Sequence, residues 1–113
     1  VIKPLDEEAL SSAVRIGTDP KYAPLAYVLH EAYDQAAKGK GHERHADGKA
    51  FVDQPIFEIA RMLHGIDGQT FQIMKKAQEA ARMVRNGQHD AAVRELLGAI
   101  NYAAAAVLHI REQ

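Results

Sequence analysis

Apolar residues recur at steps of three and four along most of the chain, and no segment alternates with a period of two. The pattern predicts an all-α fold, a compact bundle of about five helices in a single domain spanning residues 1–113. The first predicted helix runs from about Asp6 to Ile16. Asp6 is placed as its N-cap, Glu7 and Glu8 meet the positive end of the helix dipole, and Leu5 staples onto Leu10. Gly17 supplies a left-handed stop. Pro20 and Pro24 frame the entry to a second helix ending at Ala37, with Leu25, Val28, Leu29, Ala32, Tyr33 and Ala36 on one face.

Three more helices follow. Asp53 caps a short third one, Pro55 sits in its first turn, and Val52 staples onto Phe57. Its expected buried stripe is Ile56, Ile59, Ala60 and Leu63, and Gly65 ends it. A fourth helix begins at Thr70 or a neighbour and reaches Arg85. Phe71, Met74, Ala77, Ala81 and Val84 are expected to face inward, and Asn86-Gly87 is the stop. The last helix runs from about Asp90 to the C-terminus. It carries Val93, Leu96, Leu97, Ile100, Ala103, Ala104, Val107 and Leu108, more apolar surface than one stripe needs.

Between the second and third helices lies a long Gly-rich loop, from Lys38 to Val52, interrupted by Gly39, Gly41 and Gly48. Ordered loops of that length often carry function.

Composition sharpens this picture. Twenty of 113 residues are alanine, and Leu, Ile, Val and Phe together number 26. Buried alanine contributes little at about 25 cal/mol per Å². A small domain so built needs very close helix packing or a second subunit to complete its core. A homo-oligomer is therefore expected, a two-fold dimer first. Alanines at Ala99, Ala103 and Ala106 would let two last helices approach closely, with Asn101 pairing across the axis.

Charge excludes several classes. Fourteen Lys and Arg against fifteen Asp and Glu leave a net charge of −1, which argues against bulk binding to nucleic acid. No stretch reaches 18 consecutive apolar residues, so no membrane-spanning helix is expected. The chain has no cysteine, which excludes disulfides, thiolate metal sites and a Cys nucleophile.

The densest polar chemistry sits in the loop. Lys38, Gly39, Lys40, Gly41, His42, Arg44 and His45 form the expected ligand-binding segment. Glycines let backbone N–H groups converge on an anion while Lys and Arg supply charge, so a phosphate-bearing small molecule such as a nucleotide suits it. The segment lacks the Lys-Ser/Thr pair of a Walker motif. His42, His45, Glu43, Asp47 and Asp53, or His30 with Asp34, supply metal-ligand chemistry, but no third rigid donor accompanies them. No metal, cofactor or catalytic residue is assigned. Glu31 and Asp34 form the E-x-x-D pair used by all-α nucleotide pyrophosphohydrolases. The facing helix offers only Glu95 and then Asn101, so a metal-dependent phosphohydrolase is the alternative and not the first reading. Lys75, Lys76, Arg82 and Arg85 make the fourth helix basic, without a stacking platform for single strands.

The run GKGHERHADGKAFVDQPIFEIARM, followed by GQTFQIMKKAQEAARM and ELLGAINYAAAAV, resembles a group of small uncharacterised proteins encoded by phages and prophages. The resemblance spans about Tyr27 to Val107 and rests on GKG-x-ERH with the later F-x-x-QP. It implies a phage accessory role in the bacterial cytoplasm, through binding a host protein or sequestering a nucleotide. It carries no residue role. The sequence thus favours a non-enzymatic oligomeric binding protein, with a structural or assembly subunit as a further alternative.

Overall fold

A computed structural model describes residues 19–38 and 48–112. The described residues contain four α-helices, α1 (Ala23–Ala37), α2 (Pro55–Leu63), α3 (Asp67–Arg85) and α4 (His89–Arg111). Two 3-10 turns, Pro20–Tyr22 and Phe51–Asp53, precede α1 and α2. No strand occurs among the described residues, so the fold class is all-α. The predicted helix from Asp6 to Ile16 and most of the Gly-rich loop, 39–47, lie outside them.

Local chemistry explains the boundaries. Asp19 accepts a hydrogen bond from the Lys21 backbone N–H at 2.9 Å and caps the Pro20–Tyr22 turn that leads into α1. Asp53 was expected to cap α2. It lies instead inside the Phe51–Asp53 turn, and Gln54, in extended backbone, takes the cap position. Phe57 packs edge-on against Phe51, with ring centroids 5.4 Å apart. The left-handed residue closing α2 is His64 (φ 56°) and not Gly65, whose N–H returns to the Ala60 carbonyl. This stop lets α3 start at Asp67, three residues before the expected Thr70.

α3 and α4 form the central antiparallel pair, and α1 and α2 both pack on α4. The core is small-residue packing: Ala32, Ala60, Ala80, Ala92, Ala105 and Ala106 are buried, with Phe57 and Leu97 as its large apolar members. Gly98 of α4 lies beneath α3, where a Cβ would come within 3.0–3.2 Å of the Lys76 side chain. Glycine there gives the Lys76 stem a lane between the two helices.

Two inward faces differ from expectation. On α3 the face toward the core is Gln69, Ile73, Lys76, Ala80 and Met83, of which Gln69 and Ala80 are fully covered. Phe71, Met74, Ala77, Ala81 and Val84, the expected inward set, are exposed. On α2, Phe57 and Ala60 are buried while Ile59 and Leu63 are exposed. The reason is that both helices are apolar on two sides. The side of α3 that packs on α4 covers Ala80 and lays the Lys76 stem across Gly98.

By length and composition alone, α4 is apolar enough to cross a bilayer, which corrects the expectation that no segment qualifies. The core helix of a bundle meets the same description, and one side of α4 is packed against α1, α2 and α3.

Candidate functional site

Of the expected ligand-binding residues, Lys38 is described. It closes α1, its backbone N–H donating to the Asp34 carbonyl at 2.8 Å, and its Nζ lies 3.4 Å from Asp34 Oδ1. Gly39, Lys40, Gly41, His42, Arg44 and His45 lie outside the described residues. On the preceding turn His30 Nε2 is 3.4 Å from Asp34 Oδ2, and its ring is parallel to Tyr33 with centroids 6.5 Å apart. Asp34 is thus flanked by His30 and Lys38 along an exposed helix edge. Among the described residues, no three His, Asp or Glu side chains gather as a metal site.

Two of the four basic residues of α3, Lys76 and Arg82, are paired with acids. Arg82 donates to Glu79 Oε2 at 2.7 Å, and this bond, with the nearby Arg82 and Lys75 charges, holds the Glu79 carboxyl below the usual carboxylate range. Lys76 crosses Gly98 and donates to Glu95 Oε2 of α4 at 3.3 Å. Its Nζ also stands 5.8 Å from the Tyr102 ring centroid. Burial, reinforced by the Glu95 charge, pushes the Tyr102 hydroxyl above its ordinary pKa. Gln72, Lys75, Lys76, Glu79 and Glu95 line an open groove of about 380 Å³ between α3 and α4. Its two lysines and two glutamates balance, and Lys76 and Glu95 are already paired. The arrangement is an inter-helix clasp.

A second polar junction fixes the end of α4. Arg61 of α2 donates to both carboxylate oxygens of Glu112, at 2.6 and 3.2 Å, and to the Val52 carbonyl at 3.1 Å. Its guanidinium carbon lies 5.7 Å from the Phe57 ring centroid. Buried His109 places Nδ1 3.7 Å from Glu112 Oε2. The Arg61 hydrogen bonds hold the Glu112 carboxyl below its ordinary range.

Many large apolar side chains are exposed among the described residues. Met62 is 77% exposed, Met74 71% and Phe71 61%. Val84, Val93, Leu96, Val107 and Ile110 are also exposed, as are Leu25, Tyr27 and Tyr33 of α1. The breadth of the last helix's apolar surface was legible in the sequence. The outward face of α3 was not, because Gln69 and Lys76 interrupt the inward face and leave the outward one reading as the more apolar. Asn101, expected to pair across a two-fold axis, is used within the chain: its Nδ2 donates to the Ala32 carbonyl of α1 at 2.9 Å.

No family model, no curated protein and no solved structure matches the chain.

Proposed function

We propose that this chain is a helical association subunit, a small non-enzymatic binding protein that works by closing its apolar helix faces against another protein, first of all another copy of itself. One observation carries the reading. Most of the large apolar side chains among the described residues lie outside, while alanine makes up most of the fully buried set. A large apolar side chain contributes about 1.5–3 kcal/mol when fully buried, and an alanine much less. Exposed apolar surface on this scale marks an interaction site.

Protein is favoured over lipid as the occupant. α4 carries Glu95, paired with Lys76, and Asn101, bonded to α1, so half of it is already committed to helix packing. A small accessory protein of the phage-encoded kind, acting in the bacterial cytoplasm, fits such a role, by covering a host protein or by building its own assembly. A phosphate-bearing ligand at Lys38 to His45 is a separate proposal that rests on residue types alone. A thermal-shift comparison of wild type and Arg44→Ala with nucleotides tests it.

Light scattering at micromolar concentration tests the association. A mass at a multiple of 12.4 kDa supports it. A mass near 12.4 kDa overturns self-association, and flotation with phospholipid vesicles overturns protein as the occupant.

A further inference from the structure

The outward face of α4 is a repeat of seven. Val93, Leu96, Ile100, Ala103, Val107 and Ile110 follow at steps of three and four, the spacing of a coiled-coil seam. All are exposed except Ile100, which is half-buried. They lie opposite Gly98, Ala105 and His109, the residues that face the rest of the subunit. From Val93 to Ile110 the seam is about 26 Å long.

Resting on the association reading above, we propose that this seam is closed by α4 of a second copy, running antiparallel about a two-fold axis at the level of residues 101–102. By length and composition, the segments outside the four helices match this seam poorly. The helix predicted from Asp6 to Ile16 is about 16 Å long, shorter than the seam. Segment 39–47 (GKGHERHAD) has alanine as its largest aliphatic side chain. A copy of α4 matches the seam in length and repeat.

Size and charge select the direction. In the antiparallel register Val93 meets Ile110 of the second copy, Leu96 meets Val107, and Ile100 meets Ala103. Each central layer then joins one large and one small side chain. The parallel register would stack Ala103 on Ala103 and leave a gap there. Along one flank of the seam, at steps of seven, run Asp90, Leu97, Ala104 and Arg111. Antiparallel pairing brings this flank against its own reverse, so exposed Asp90 at one end meets exposed Arg111 of the second copy, twice by symmetry. Parallel pairing sets Arg111 beside Ala106 and forms no such pair. Antiparallel helices also oppose their dipoles favourably.

The chain has no cysteine, so introduced thiols report on geometry without interference. The test oxidises Val93→Cys alone and Val93→Cys with Ile110→Cys under mild conditions, beside light scattering of the wild type. Within one helix the two positions are about 26 Å apart, so a disulfide between them must join two copies. The proposal expects the double variant to run mostly as disulfide-linked dimer and the single variant to remain mostly unlinked. It also expects Asp90→Arg to weaken the dimer and the added Arg111→Asp to restore it. Equal linkage through Val93→Cys alone, or an oligomeric wild type whose double variant stays unlinked, overturns the antiparallel seam while association stands. A monomeric wild type overturns association itself.

Discussion

Asn101 of α4 reaches across to α1 and donates a 2.9 Å hydrogen bond to the Ala32 carbonyl. One turn further along α1, the Gln35 amide donates to the Arg94 carbonyl of α4 at 3.1 Å. These two bonds and the buried Ala32 fix α1 on α4, while Tyr27, Val28, Leu29 and Tyr33 remain outside. Asn101→Ala is expected to cost about 1 kcal/mol, the usual net contribution of a half-buried hydrogen bond. The loss should concentrate in α1. Hydrogen exchange should quicken across Ala23–Ala37 and change little in α3, and equal quickening in both would contradict this attachment.

Gln69 is the opposite case. Its side chain is fully buried in the first turn of α3, yet neither its Nε2 nor its Oε1 has a hydrogen-bond partner among the described residues. An unsatisfied buried amide costs about 1–3 kcal/mol. Gln69→Met keeps the length and removes both polar atoms, so it is expected to raise stability by about 1–2 kcal/mol. Chemical denaturation gives the answer through the midpoint at unchanged slope. A lower midpoint would mean that the amide is satisfied in solution.

These two residues show what the sequence could and could not convey. Helix positions were legible because prolines, glycines and apolar steps mark them at short range. The bounds of α1, α2 and α4 fall within two residues of those expected. The face that α3 presents to α4 was not legible, because the choice is made by fit. Gly98 and Ala80 allow close approach, and Lys76 is accommodated by its partner Glu95 and by its apolar stem. Periodicity weighs side chains by polarity alone, so it placed Phe71 and Met74 inside. Asn101 was expected to pair across an axis, but its partner lies 69 positions away on α1, a distance no periodicity conveys. The ligand-binding reading of Gly39 to His45 concerns residues outside those described, and Lys38 alone shows only its pairing with Asp34.

The Arg61–Glu112 junction gives a pH dependence with a defined sign. Hydrogen bonds from Arg61 depress the Glu112 pKa in the folded state. Its contribution is therefore complete above the unfolded carboxyl pKa of about 4.3 and is lost as pH falls through the depressed folded value. The pair is partly exposed, so solvent screening holds the contribution to under about 1 kcal/mol. Glu112→Gln should lower the denaturation midpoint at pH 6, and the gap from wild type should narrow as pH falls toward 3. A gap independent of pH would mean that the charge contributes nothing.

Ala103→Glu separates folding from association. Ala103 is exposed on the outward seam of α4, between Ile100 and Val107. A glutamate there leaves the inward face of α4 untouched and keeps good helix propensity. In an antiparallel pair it would lie against Ile100 of the second copy, twice by symmetry, where burying a carboxylate without a partner is costly. The variant is expected to keep the wild-type far-ultraviolet circular dichroism while its mass falls to that of one chain. Gln78→Glu, exposed on α3, adds the same charge away from the seam and should leave the oligomer intact. If Ala103→Glu keeps the full oligomeric mass, the contact lies elsewhere, and the exposed Phe71–Met74 face of α3 becomes the next surface to charge.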